Sequence, residues 1–309
     1  ATAEKLLVSQ AMLADIKSQQ PKAQLHLMVT PGLEGLAKRF TPVKKVWLQP
    51  EPKASWKTFW RAAVAMQGKK FTQAWVIPER FKPGIIPAIA NVPWRIGYRG
   101  FYRYALLIDI RLVRKDLHPN LVDKYRALAW DIGVEFPPLN LPKLKVKPKR
   151  QTKLIEKLKL PQNTPLLAYS PSRQTAPANK QAAALSLEEE LNLVAELQSN
   201  GWQVVIFASK QHTAEIDLLL KHPAASRLKN QVINLSGQLS WPDAIDVLAL
   251  CQAQVSQSNS LALLGASLHL PVYLLANDCL SLSLGAKLAS PTEALAKLTP
   301  CPATKSQPN

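Results

Sequence analysis

The stretch QAWVIPERFKPGIIPAIANVPWRIGYRGFYRYALLIDIR, residues 73–111, decides how the rest of the chain is read. It opens on a short apolar run, QAWVIP, with the character of a strand. Further on, Arg95, Arg99 and Arg103 recur every four residues, the spacing of one helix face. Yet Pro93, Gly97 and Gly100 stand among them, and Gly is poor inside a helix while Pro is worse. The segment therefore reads as a glycine-broken loop that follows a strand. Several guanidinium groups on such a loop suit the paired donation that grips phosphate or carboxylate.

Working outward, the same alternation of strand and helix runs through the chain. Before the stretch, AQLHLMV and KKVWLQP read as strands, PGLEGLAKRF as a short helix and SWKTFWRAAVAMQGK as a longer one. After it, PNLVDKYRALAWDIG has helical spacing, with Pro119 near its start and Gly133 just past its end. A Pro- and Lys-rich segment then suggests a semi-rigid connector. Beyond it LLAYS is a strand, and Ser186 with Glu189 forms a capping box for the helix LEEELNLVAELQS. WQVVIFAS, QVINLSG, AQVSQ and PVYLLAN are further strands, with helices starting near Gln211, Trp241 and Leu261. This pattern predicts an α/β protein of two doubly wound domains facing across a cleft, with ligands outside the carboxyl ends of the strands. The expected boundaries are 1–146, a linker at 147–164, a second domain at 165–298 and a mobile tail at 299–309.

Composition narrows the partners. The 309 residues are 47% hydrophobic, enough for sizeable cores. Cys251, Cys279 and Cys301 are too few and too irregular for a disulfide framework or a zinc site, which suggests a reducing compartment. His118, His212 and His269 show no metal spacing. The net charge is +18, of which +17 falls in residues 1–150 and +1 in residues 151–309. Solubility alone would not confine the surplus to one half, so the first half is expected to face an anionic partner. Nucleic acid is the weakest candidate, since no recognition helix or aromatic stacking motif supports it.

The chain resembles the lipopolysaccharide heptosyltransferases of glycosyltransferase family 9. The residues that carry the resemblance are Phe81, Lys82, Pro93, Arg95, Gly97, Arg99, Gly100, Arg103, Tyr104, Leu106, Leu107, Asp109 and Arg111. The resemblance implies a GT-B fold of two Rossmann-like domains, with ADP-heptose or another ADP-sugar held by the second and the phosphorylated inner core of lipopolysaccharide by the first. It implies no metal or other cofactor. It also implies a monomer at the cytoplasmic face of the inner membrane of a Gram-negative bacterium, with the core and its lipid A precursor as partner and no nucleic acid. Acceptor binding is expected from Lys82, Arg95, Arg99, Arg103 and Arg111.

The departures from the family are specific. Its first strand precedes a Gly-Asp loop whose Asp is the proposed general base. Here that strand is absent from the start of the sequence, Lys5 stands at the Asp position, and Glu4 is the candidate base beside it. The family's Asp-Ser-Gly-x-x-His becomes Ser258, Asn259 and Ser260, with Leu263 at the His position. Asn234, Leu235 and Gly237 keep a second motif, with Leu239 in place of Thr, and Ser209 keeps the end of a third. Lys180 is the candidate cation for the diphosphate. Donor binding is therefore expected from Lys180, Ser209, Gly237, Ser258, Asn259 and Ser260. Two readings stay open at this point: a working glycosyltransferase, or a protein of the same fold that binds the core without transfer.

Overall fold

A computed structural model describes residues 2–51, 53–114, 116–171, 185–228, 232–257, 259–275 and 284–298. The chain divides into two compact units, Ala1–Pro142 and Lys143–Asn309. The expected linker does not lie between them. All of 147–164 belongs to the second unit, where residues Pro148–Leu158 form a helix packed on another helix of that unit. Pro148 sits at its first turn, where its missing N–H costs nothing. Five basic residues counted with the first half, Lys143, Lys145, Lys147, Lys149 and Arg150, thus belong to the second unit.

The first unit runs α1 (Ala3–Gln19), β1 (Leu25–Val29), α2 (Glu34–Ala37), β2 (Val43–Leu48), α3 (Trp56–Gln67), β3 (Gln73–Val76), α4 (Phe81–Ile89), β4 (Trp94–Tyr98), β5 (Asp109–Arg111) and α5 (Leu121–Arg126). All its strand pairings are parallel, but they fall into two sheets, β1–β2 and β3–β4–β5. Helix α1 is capped by Thr2 and buried almost all round from Leu6 to Ile16. Such a helix is a core element rather than an amphipathic surface one. Its one buried acid, Asp15, is paired: Arg126 of α5 donates to both carboxylate oxygens at 2.7 and 3.1 Å and to the Pro137 carbonyl at 2.6 Å. The Arg126 guanidinium also lies 5.0 Å from the Phe136 ring centroid.

The second unit runs α6 (Pro148–Leu158), β6 (Leu166–Ser170), α7 (Leu187–Ser199), β7 (Gln203–Ile206), α8 (Thr213–Lys221), β8 (Ile233–Asn234), α9 (Trp241–Leu248), β9 (Ala253–Ser256), α10 (Asn259–Ser267), β10 (Val272–Leu274), β11 (Lys287–Leu288) and α11 (Pro291–Lys297). Its six parallel strands form one sheet in the order β11-β10-β9-β6-β7-β8, the doubly wound arrangement. The central strands are apolar on both faces, as helices on both sides require: Leu167, Tyr169, Val204, Ile206 and Val255 form one core with Leu193 and Leu197 of α7. The predicted capping box at Ser186 and Glu189 is present at the start of α7. At the other end of the core, Trp202 donates its indole N–H to the Leu298 carbonyl at 3.0 Å, fixing the exit of α11. Cys251 is buried, and desolvation pushes its thiol up to about 12, so it is inert packing rather than chemistry.

Candidate functional site

In parallel α/β sheets the residues just past the carboxyl ends of the strands meet the ligand. In the first unit this edge is built by the arginine-rich stretch, and the structure corrects its reading in detail. Arg95 lies within β4, not in a loop; its guanidinium donates to the Leu106 and Val92 carbonyls, both at 2.6 Å. Arg111 lies in β5, where it forks onto Asp109 at 2.7 Å and donates to the carbonyls of Ala127 and Trp130. Arg103 is only 1% exposed. Its guanidinium folds back across the edge of the sheet and donates to the carbonyls of Tyr98, at 2.7 Å, and Val76, at 3.2 Å. Three of the five expected anion ligands are therefore internal braces. Their acceptors are main-chain carbonyls at strand ends and in connecting segments (Val76, Val92, Tyr98, Leu106, Ala127 and Trp130), and the forked donors of Arg satisfy them.

The glycines follow from the same arrangement. Neither Gly97 nor Gly100 has a positive φ. They are needed for close approach: a Cβ on Gly97 would lie 2.9 Å from the Val76 carbonyl and 3.1 Å from the Arg103 guanidinium. One on Gly100 would lie 2.5 Å from the Glu79 carbonyl and 3.0 Å from Arg103 Cδ. Burial lowers the Arg103 pKa, and Glu79 opposes that effect by favouring the charged form. Tyr98, beneath the same loop, donates its hydroxyl to the Lys124 carbonyl, and desolvation raises its pKa to about 12.

Of the other two expected ligands, Arg99 is exposed just past β4, and Lys82 stands in the first turn of α4. Lys82 is held toward the start of α3, donating to the Ala54 carbonyl at 3.2 Å and lying 5.5 Å from the ring centroids of Trp56 and Phe59. Sequence reasoning passed over the aromatic side chains around Arg99. Phe101, Tyr102 and Tyr104 are 88, 83 and 64% exposed, and Tyr102 adopts a left-handed φ of 57°. Three large aromatic side chains exposed within four residues make this loop a candidate contact surface. The run FYRY was the signal for it in the sequence. Glu4 lies in the first turn of α1, partly buried, at the end of the helix that faces the carboxyl edge.

In the second unit, Ser209 follows β7 and opens a single 3₁₀ turn, Lys210–His212, before α8. Gly237 follows β8 with a φ of +67° and donates its N–H to the Ala208 carbonyl at 3.0 Å. A Cβ there would meet Thr213 Oγ1 at 2.8 Å and Lys210 Cα at 3.1 Å, so only Gly lets the two turns touch. Ser209 and Gly237, far apart in sequence, are brought together this way. The exposed Lys210 between them is a basic group that sequence reasoning missed. Ser260 stands in the first turn of α10, just past β9. The chain leaves β6 and β9 toward opposite faces of the sheet, which is where such folds seat a nucleotide and where a helix N-terminus offers N–H groups to phosphate. Leu263, at the family's His position, is fully buried in the core. Lys180 and Ser258 lie outside the described residues, and so does the Asn259 side chain. Among the described residues no three His, Cys, Asp or Glu side chains gather as a metal site.

Comparison with known proteins accords with this geometry. Residues 59–274 match glycosyltransferase family 9 (heptosyltransferase). The chain is 30% identical to lipopolysaccharide heptosyltransferase 2 of Salmonella typhimurium over 278 residues, covering 86% of this chain and 78% of that protein. It is 28% identical to the Escherichia coli protein of the same name over the same shares. Among solved structures, Escherichia coli ADP-heptose lipopolysaccharide heptosyltransferase II superposes with a TM-score of 0.82 at 23% identity, covering 96% of this chain and 94% of that one. A second Escherichia coli heptosyltransferase, solved with ADP, superposes with a TM-score of 0.61 at 15% identity, covering 89% of this chain and 84% of that one. The fold is GT-B, built of two Rossmann-like units.

Proposed function

Since the chain belongs to glycosyltransferase family 9, the heptosyltransferase family, we propose that it transfers heptose from ADP-heptose to the phosphorylated inner core of lipopolysaccharide. The observation that carries this reading beyond the family is the second unit's sheet edge. The start of α10 beside the switch between β6 and β9, with the Ser209 and Gly237 turns at the ends of β7 and β8 on the far side of β6, suits an extended nucleotide diphosphate. Lys210 adds positive charge at that edge, and Lys180 is proposed to join it. In the first unit, Arg99 grips an acceptor phosphate while Phe101, Tyr102 and Tyr104 supply broad faces for sugar rings. Inverting transfer needs a base at the attacking hydroxyl and dipolar or positive groups at the departing diphosphate. Glu4 takes the first role, receiving the hydroxyl proton as the new glycosidic bond forms and the bond to ADP breaks.

The test is ADP release from ADP-heptose in the presence of deacylated core acceptor. Release that needs both substrates is expected. Arg99→Ala is expected to raise the acceptor KM roughly 10- to 100-fold, the worth of hydrogen bonds from a charged donor, with the donor KM unchanged. Core binding without donor binding or turnover would make this a binding protein instead. Failure to bind either substrate would end the proposal.

The reading also places the protein as a monomer on the cytoplasmic face of the inner membrane, where such an acceptor resides. No helix among the described residues is long and apolar enough to cross a membrane. Helix α3 supplies a surface contact instead: Trp56, Trp60 and Val64 recur along one stripe, each 45–57% exposed, with Lys57 and Arg61 exposed between them and no acid in its first turn. Interfacial helices combine such aromatic and basic groups. Each basic residue near an anionic surface contributes about 1 kcal/mol. Lys57→Ala with Arg61→Ala is therefore expected to weaken binding to vesicles containing phosphatidylglycerol by roughly tenfold or more, and Trp56→Ser with Trp60→Ser to weaken it further. Equal binding of all three proteins in cosedimentation would remove α3 from this role.

A further inference from the structure

Strand β9 lies inside the sheet of the second unit, between β10 and β6, and is buried along its whole length. A strand so placed in a parallel sheet is expected to be apolar throughout. Instead it reads Ala253, Gln254, Val255 and Ser256, with Gln257 next, and its three polar side chains are 0, 0 and 7% exposed. Gln254 faces α10: a Cβ on Gly265 would lie 1.9 Å from its Oε1, and its Nε2 donates to Ser170 Oγ at 3.3 Å. Gln257 faces the other way, toward α7. Its Nε2 donates to Glu190 Oε1 at 2.9 Å and to the Tyr169 hydroxyl oxygen at 3.0 Å, while its main-chain N–H donates to the Ser170 carbonyl at 2.8 Å. Tyr169 and Glu190 are fully buried, and Tyr169 shares the apolar core with Leu193, Val194 and Leu197 of α7.

Burying a carboxyl and an amide in such a core is costly, and apolar groups of similar shape would give equal or greater stability. Stability therefore does not account for the network. What it does fix is a direction. One amide ties together the end of β6, the end of β9 and the first turns of α7. Gln257 stands two residues before α10, so these bonds set how the chain enters that helix. We propose that Gln257, held by Glu190 and Tyr169, is a positioning residue for the donor: it aims the N–H groups at the start of α10 toward the diphosphate. This inference rests on the reading of that helix start as the diphosphate seat. A binding group must be held to within about 0.5 Å of its productive place by supporting hydrogen bonds and packing. A buried network with its members paired specifies one such arrangement.

Donor binding and stability, measured separately, test this. In Glu190→Leu with Gln257→Leu the denaturant midpoint should equal or exceed the parent's, yet the Kd for ADP should rise by at least roughly tenfold. A purely structural network would shift the midpoint and leave the ADP affinity of the folded protein unchanged. Exchanging the pair, Glu190→Gln with Gln257→Glu, keeps an amide against a carboxyl and should restore ADP affinity to within about threefold of the parent. Gln257→Glu alone sets two carboxyls together, so one of them must hold a proton. Its ADP affinity should approach the parent's at low pH and fall away from it as pH rises and both carboxyls ionise; this variant decides the question where the leucine pair does not fold. Affinity for deacylated core should be unchanged in all three. ADP affinity equal to the parent's in the leucine pair, a constant ratio to the parent across pH in Gln257→Glu, or no restoration by the exchange would overturn the proposal. A parent chain that binds no ADP would instead overturn the reading of the seat, and this inference with it.

Discussion

Arg103→Ala lowers the unfolding free energy of the first unit by about 3–5 kcal/mol, the scale for removing a buried charged brace and leaving its space empty. The side chain is 1% exposed, it bridges the ends of β3 and β4 through the carbonyls of Val76 and Tyr98, and Gly97 and Gly100 are shaped around it. Denaturant unfolding followed by tryptophan fluorescence reads the loss. Arg103→Lys should recover little, because one ammonium cannot reproduce the fork that spans both carbonyls. Arg99→Ala, four residues earlier and exposed, should stay within about 0.5 kcal/mol of the parent. If Arg103→Ala unfolds like the parent while acceptor binding falls, the side chain is a ligand after all.

The second large effect is expected at Asp15. Its carboxylate and the Arg126 guanidinium are 6 and 7% exposed, and they join α1 to α5. Asp15→Ala leaves a buried guanidinium with the Pro137 carbonyl and the Phe136 ring but no counter-charge, at a cost of about 3–5 kcal/mol. Removing both partners is less harmful than removing one, since a buried ion pair replaced by apolar groups is often neutral. Asp15→Leu with Arg126→Met is therefore expected to unfold closer to the parent than Asp15→Ala does. Strictly additive losses across the mutant cycle would show that the two side chains act independently.

These two sites show where sequence reading reached its limit. Strands buried on both faces, such as LLAYS in β6 and QVVI in β7, were legible because a short continuous apolar run between turn residues fits little besides a strand covered on both sides. The α7 capping box was legible because both of its partners are local. Strand β4, WRIGY, was hidden by Arg95 and Gly97, which look like loop residues until β3 and β5 flank them. Arg103 looked like an anion ligand because one of the carbonyls it meets lies 27 residues away, and nothing local marks that contact. The same holds in the second unit, where the turns at Ser209 and Gly237 meet only because β7 pairs with β8. The stretch read as a linker was rich in Pro and Lys, but its Pro begins a helix and Leu154 anchors that helix in the second unit.

The unshielded flanks of β1 and β3 bear on more than architecture. A row of amides and carbonyls without neighbours is a template for pairing. The flanks of β1 and β3 that no described strand pairs thus offer main-chain donors and acceptors to any extended segment that reaches them.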